Sequence, residues 1–329
     1  MAEIIMHNFQ KLALSVLTLF STQALAIDLD MATPYGTENH PTQIAIEFAK
    51  EVTSRTSDIK LTVHPGGKLI KHPDIFDTVS SDTGQVKFGE VFGGRLGDVH
   101  PIFKVDNIPF LATDFDEAEK LFIVSKKILA RELLKNNLIL LYATPWPAQS
   151  LYSNKPIRSL EDIKGLTMRT YSPTTERLAE LMGGTPQSVA FGDIADSFNT
   201  NKIDAMITSP STGVSQKSWG YVSHYSEINA WIPKNLTFIN ANYFNSLDEE
   251  TQEIILSAAA KAQTNAWKLV KEKAREHTKV LEDSSIQVSR PSLDLLEELR
   301  NIGYTMTDEW IESAGRSGSD IVDLFQQCI

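Results

Sequence analysis

Arg169 is the side chain whose surroundings point most directly to ligand chemistry. It closes the run Lys164-Gly165-Leu166-Thr167-Met168-Arg169, whose apolar part reads as a strand, and is followed by Tyr171 and then Ser172-Pro173. Ser172 suits a helix N-cap and Pro173 the first helical position. The guanidinium then lies at the end of a strand facing a helix N-terminus, where open α/β sheets hold ligands. Its planar pair of donors matches a carboxylate. Two readings of Arg169 stand at this level: a carboxylate anchor, or a structural ion pair with Glu161, Asp162 or Glu176.

Other side chains could complete such a site. The rings of Trp146, Tyr171, Phe191, Trp219 and Tyr243 would wall a ligand held by one carboxylate, or would simply pack in the core. Glu90 and Phe92 end a strand read over Val86–Phe92; Glu90 would orient a ligand hydroxyl or pair with nearby Arg95. Ser209, Ser211 and Thr212 follow an apolar strand, Ile203–Thr208, and would donate to a carboxylate, cap a helix, or both. Catalytic patterns are missing. The 7 histidines show no metal-ligand spacing and no H-E-x-x-H pair, and there is no G-x-S-x-G elbow. Gly93-Gly94-Arg95-Leu96-Gly97 lacks the spacing and the lysine of a phosphate loop and reads as a turn. A binding protein without metal or cofactor is expected, not an enzyme.

The elements that must position these residues alternate. Ile27–Met31 and Ile59–Val63 read as strands, with a helix from about Pro41 to Thr53 between them and the turn His64-Pro65-Gly66-Gly67 after them. Asp74–Ser81 reads as helical. Asp106–Leu111 reads as an extended loop, through which Pro109 forbids a helix. Asp114 or Asp116 caps a helix running through Leu121, and Leu138–Tyr142 reads as a fully apolar strand of a parallel sheet. A capping box of Ser246 and Glu249 opens a helix from about Leu247 to Leu281, roughly 50 Å long at ~1.5 Å per residue. Its Ala-rich face lacks the leucine seam of a coiled coil. A further helix spans Leu293 to Ala314, stopped by Gly315. The order is that of an α/β protein with covered sheets.

The stretch from Asn154 to Met206 resembles the substrate-binding proteins of TRAP transporters, the tripartite ATP-independent periplasmic importers, of the DctP type. So do Ala45–Leu69 and Pro101–Ala118, and the resemblance covers nearly the whole chain after residue 26. It implies a two-lobed, Venus-flytrap α/β fold with a long helix bridging both lobes. It also implies that Arg169 grips the ligand's carboxylate. Gln149 stands where sialic-acid-binding members carry a second arginine; a neutral amide cannot balance a second charge, which points to a monocarboxylate, and together with the aromatic residues to a hydrophobic or aromatic acid. Gln149 could equally be a plain interlobe strand residue. Ser209 falls where many members have an asparagine, and Phe191 falls near a position that packs on the ligand. The implied partners are an organic acid and the membrane subunits of a TRAP permease. A sensory protein presenting ligand to a receptor, or a secreted enzyme using the same cleft, would have the same outline.

The front of the chain fits an extracytoplasmic address. Lys11, the apolar run Leu12–Phe20 and the small-residue site Ala24-Leu25-Ala26 read as a signal peptide cleaved after Ala26, with a periplasmic destination. The expected division is 1–26 signal peptide, 27–147 plus about 235–274 in the N-terminal lobe, and 148–234 plus about 275–329 in the C-terminal lobe. A net charge of −11 argues against nucleic acid or anionic membranes as partners. The single cysteine, Cys328, excludes an internal disulfide and reads as a surface thiol, and a monomer is expected.

Overall fold

The computed structural model describes residues 26–328. The apolar leader and its cleavage site lie outside the described residues. Two mixed sheets form two lobes. The first run is β1 (Ile27–Ala32), α1 (His40–Arg55), β2 (Ile59–His64), α2 (Ile75–Ser80), β3 (Val86–Phe92), α3 (Phe115–Lys135) and β4 (Leu138–Pro145). A second run follows: β5 (Ser150–Ser153), β6 (Thr167–Thr170), α4 (Pro173–Leu181), β7 (Thr185–Ser188), α5 (Ile194–Asn199), β8 (Ala205–Thr208), α6 (Pro210–Ser215) and β9 (His224–Ser226). The chain then returns to the first sheet as β10 (Lys234–Asn240), followed by α7 (Ala241–Ser246) and α8 (Glu249–Glu282). It ends with β11 (Gln287–Ser289), α9 (Leu293–Ala314) and α10 (Arg316–Gln326).

The first sheet has the order β2-β1-β3-β10-β4 and the second β11-β9-β5-β8-β6-β7. β1 is parallel to β2 and β3, and β6 is parallel to β7 and β8. The C-terminal ends of both parallel sets open toward the same cleft. Both faces of each sheet are covered. α1 turns Ile44, Ala45, Phe48, Ala49 and Val52 onto one face of the first sheet, at the spacing of an amphipathic helix. α3 turns Leu121, Leu129 and Leu133 onto the other.

Two segments cross between the sheets and are zipped together. The Trp146 amide donates to the Pro233 carbonyl at 2.8 Å and the Gln149 amide to Trp231 at 2.9 Å, while the Ala230 amide donates to Gln149 at 2.8 Å. α8 runs 34 residues and packs on α1 and β4 in one lobe and on α6 and β11 in the other. Toward α1 and β4 its buried face, with Ala258, Ala259, Ala262 and Ala266, is small enough to lie close against the first lobe.

Three expectations need correction. Leu138–Tyr142 lies in a strand whose one partner, β10, is antiparallel. Its apolar character comes from burial on both faces, which a parallel sheet shares but does not own. The long helix is capped by Asp248, whose side chain accepts from the Thr251 amide, and not by Ser246, which ends α7. Asp106 and Asn107 are not extended but close a 3-10 stretch, Pro101–Asn107. The helix Leu293–Ala314 and its stop at Gly315 are as expected.

Candidate ligand-binding site

Between the lobes lies a cavity of about 690 Å³. Its walls come from segments just beyond strand ends. Tyr35 follows β1; Gly66, Gly67 and His72 follow β2; Phe92 and Arg95 end or follow β3. Opposite them stand Arg169 and Tyr171 from the end of β6, Val189 to Asp193 after β7, and Ser209 and Thr212 after β8. Trp146, Gln149 and Pro233 of the crossing segments form the back. Gly66 and Gly67 have φ of 73° and 62°, which favours glycine and lets the turn after β2 fold tightly against the cleft.

Arg169 is buried, and no carboxylate pairs with it among the described residues. Of the acids expected as partners, Glu161 pairs with Lys164, Asp162 caps its own turn, and Glu176 makes no ion pair. The Arg169 Nε–H donates to the Val189 carbonyl at 3.1 Å, and the guanidinium lies 4.8 Å from the centre of the Tyr171 ring. Burial pulls its pKa down to about 10. The local frame is the expected one: Ser172 caps α4 by accepting from the Thr175 amide, and the Thr175 hydroxyl accepts from the Tyr171 amide at 2.9 Å. Those bonds fix the backbone on which Arg169 and Tyr171 stand.

The amide of Gln149 is oriented at both ends. Its Nε2 donates to the Pro147 carbonyl at 2.8 Å, and its Oε1 accepts from the Tyr171 hydroxyl at 3.2 Å. Ser209 caps α6, accepting from the Thr212 amide at 3.0 Å and donating to the Thr212 hydroxyl at 3.2 Å. Both hydroxyls line the cleft. Ser211 does not: its hydroxyl meets His277 Nδ1 of α8 at 2.8 Å. Two residues along a helix turn the side chain to nearly the opposite face, so Ser209 and Ser211 could not both face the ligand.

The aromatic walls are Trp146, Tyr171 and Phe191, as expected, joined by Tyr35 and Phe92. Tyr35 and Phe191, from opposite lobes, meet edge to face at 5.5 Å, as do Phe92 and Tyr171 at 5.5 Å. Trp219 and Tyr243 lie elsewhere and pack on the lobe cores. Glu90 is also off the cleft surface. It is fully buried behind Trp146, accepts from Asn235 Nδ2 at 2.7 Å and from the Thr33 hydroxyl at 2.8 Å, and makes no pair with Arg95. Burial pushes its carboxyl up to about 7. His72 accepts from the Phe92 amide at 3.3 Å through Nε2, and burial holds it neutral with a pKa of about 3.

Tyr35 and His72 carried no motif. The signal that would have found them is positional: each lies just past the C-terminal end of a parallel strand, where such sheets bind ligands. Arg95 and Lys71 also reach the cleft, but both are exposed at its rim, where water screens their charge. The described residues contain no group of acids, histidines and cysteines arranged to hold a metal.

Two covered α/β sheets whose strand ends face each other across a cleft, with a buried arginine between them that pairs with no carboxylate among the described residues, define a two-lobed solute-binding protein. The model of the bacterial extracellular solute-binding protein family 7, DctP, matches residues 33–313, and the chain belongs to that family. It is a solute-binding protein of the TRAP transporter type. Among solved structures it is similar to DctP7 of Bordetella pertussis, described as an extracytoplasmic solute receptor binding pyroglutamic acid. The two are 36% identical, with 92% of this chain and 100% of that one covered and a TM-score of 0.89. A TRAP solute binding protein from a marine metagenome, described as specific for pyroglutamate and solved with co-purified pyroglutamate, is 32% identical. It covers 93% of this chain and 99% of its own, with a TM-score of 0.87. The ectoine-binding periplasmic protein TeaA of Halomonas elongata is 24% identical over 336 residues, covering 95% of this chain and 96% of its own.

Proposed function

We propose that the cleft captures a small monocarboxylate with a flat ring, of the pyroglutamate class, and delivers it to the membrane subunits of a TRAP permease from the periplasm. The observation that carries this reading is Arg169, a buried guanidinium with one backbone bond and no carboxylate of its own. A buried cation without a partner is costly, and an anionic ligand would relieve it. Gln149 in the back wall supplies hydrogen bonds without a second charge, which suits one carboxylate better than two. Ser209, Thr212 and Gln149 line the cleft with polar groups suited to the lactam N–H and C=O of such a ring, and Trp146, Tyr171, Phe191 and Tyr35 line it with aromatic surface. Three similar solved proteins, at 36%, 32% and 32% identity, are described as binding pyroglutamate or pyroglutamic acid.

The test is a thermal-shift and calorimetry panel of pyroglutamate, proline, succinate and benzoate against wild type and Arg169→Ala. Ligand at about a hundred times its dissociation constant stabilises by roughly 2.7 kcal/mol. A shift with pyroglutamate that disappears in the variant supports the proposal. A stronger response to succinate, or one indifferent to Arg169, overturns it.

A further inference from the structure

Glu90 is buried, uses both carboxylate oxygens, and touches no part of the cleft surface, yet the groups it bonds lead on toward two cleft walls. Toward one, Asn235 Nδ2 donates to Glu90 Oε1 at 2.7 Å, and Asn235 Oδ1 accepts from Trp146 Nε1 at 2.9 Å. Toward the other wall, the Thr33 hydroxyl donates to Glu90 Oε2 at 2.8 Å, and the Thr42 hydroxyl, which donates to the Tyr35 carbonyl at 3.0 Å, packs 3.2 Å from that of Thr33; with both protons so committed the two hydroxyls touch without a hydrogen bond between them. The two ends meet again, since the Tyr35 and Trp146 rings pack edge to face at 4.9 Å. We propose that Glu90 is a positioning residue that sets the Trp146 and Tyr35 walls, and with them the ring the cleft accepts, through Asn235 and the Thr33–Thr42 pair.

The argument turns on the direction of the bonds. An amide side chain in a buried site can point either way unless a neighbour decides. The Glu90 oxygen that faces Asn235 accepts, so Asn235 must present its NH₂ there and its oxygen to the indole N–H. Reversed, Asn235 would set an NH₂ against the indole N–H and leave a buried donor without a partner. The hydroxyl side is adaptable. If the group at position 90 became a donor toward Thr33, Thr33 could pass its proton to Thr42, which already donates to Tyr35. Glutamine therefore fits the place of Glu90, accepting from Asn235 and donating to Thr33, whereas a leucine of similar bulk loses both bonds.

This rests on the cleft being the binding site, so one readout is independent of ligand. In the ligand-free protein, the Trp146 indole N–H resonance, assigned by its loss in Trp146→Phe, should move in Glu90→Leu and stay near its wild-type position in Glu90→Gln. Pyroglutamate affinity should fall roughly tenfold in Glu90→Leu, about the worth of one fixed hydrogen bond, and be largely kept in Glu90→Gln. In a Trp146→Phe background, Glu90→Leu should weaken binding by clearly less than about tenfold more, because the linked indole donor is already gone and only the Tyr35 side remains to be lost. Should Glu90→Leu not fold, Asn235→Ala reads the same link from its middle. An unmoved indole resonance, equal losses in the leucine and glutamine variants, or full additivity with Trp146→Phe overturns the proposal. If wild type binds no pyroglutamate, the ligand assignment fails and the indole resonance still decides the role of Glu90.

Discussion

The ring of Tyr171 lies over the guanidinium of Arg169 at 4.8 Å, while its hydroxyl donates to Gln149 at 3.2 Å and its edge meets Phe92 of the other lobe. One side chain thus touches the buried cation, the back wall and the opposite lobe. Replacing it by phenylalanine keeps the ring over the cation and loses only the bond to Gln149. The affinity for pyroglutamate should drop about threefold in Tyr171→Phe and at least tenfold in Tyr171→Leu, on the usual worth of a cation–π contact and one hydrogen bond. Calorimetry on the two variants checks the order, and equal losses would remove the cation–π contribution.

Arg169 should trade stability for binding. Its charge is buried without a counter-ion, and burial already holds its pKa at about 10. Arg169→Met should abolish measurable binding, a loss above about a hundredfold. It should also raise the unfolding midpoint of the ligand-free protein, because an unpaired buried charge is replaced by apolar bulk. A lower midpoint in the variant would mean that the Val189 bond outweighs the desolvation of the cation.

Phe191 and Tyr35 bridge the lobes edge to face. Phe191→Ala should weaken ligand binding three- to tenfold, within the range of about 0.5–1.5 kcal/mol for an aromatic pair. The change should appear in the release rate, since the pair forms only when the lobes meet. Stopped-flow kinetics separate the two rates; a loss confined to association would count against a closing contact.

The pH dependence of stability has a sign that Glu90 and the buried histidines set in opposite ways. Glu90 has a folded pKa of about 7 against an ordinary 4.5. Its neutral form is favoured by folding, so that contribution is fully present below about pH 4.5 and is lost as pH rises through about 7. His72 and His40, at about 3 and about 4 against 6.5, contribute stability above 6.5 that is lost as pH falls through those values. Glu90→Gln should therefore gain on wild type between about pH 5 and about pH 8 in a denaturant series, while both lose stability alike on acidification. A constant difference across that range would mean that Glu90 does not titrate there.

What could be read from the chain was local. Ser172-Pro173 announces its helix by cap chemistry, Val86–Phe92 its strand by valine and phenylalanine at Val86, Phe88, Val91 and Phe92, and Leu293–Ala314 its helix by period and the glycine stop, and each lies within a few residues of its cause. Arg169 was legible because the strand before it and the cap after it leave one place for its side chain. The position of β10 was not legible, because pairing β3 with β4 through a strand some ninety residues further on is decided by tertiary packing. The same holds for Glu90. Its strand position suggested the cleft, but only Trp146 and Asn235, brought from distant segments, place it behind the wall. Ser211 was lost to helix phase, and α10 carried no signal that separated it from α9 beyond Gly315 itself.

The insertion of β10 also dictates an order of assembly. Until Lys234–Asn240 is available, β3 and β4 have nothing between them, and β4 has no partner in its sheet. The helix that covers β4 and braces α6 comes later still, ending at Glu282. Neither lobe can close on the first half of the polypeptide alone. The first sheet thus joins segments more than two hundred residues apart, and it is complete only when Lys234–Asn240 is in place.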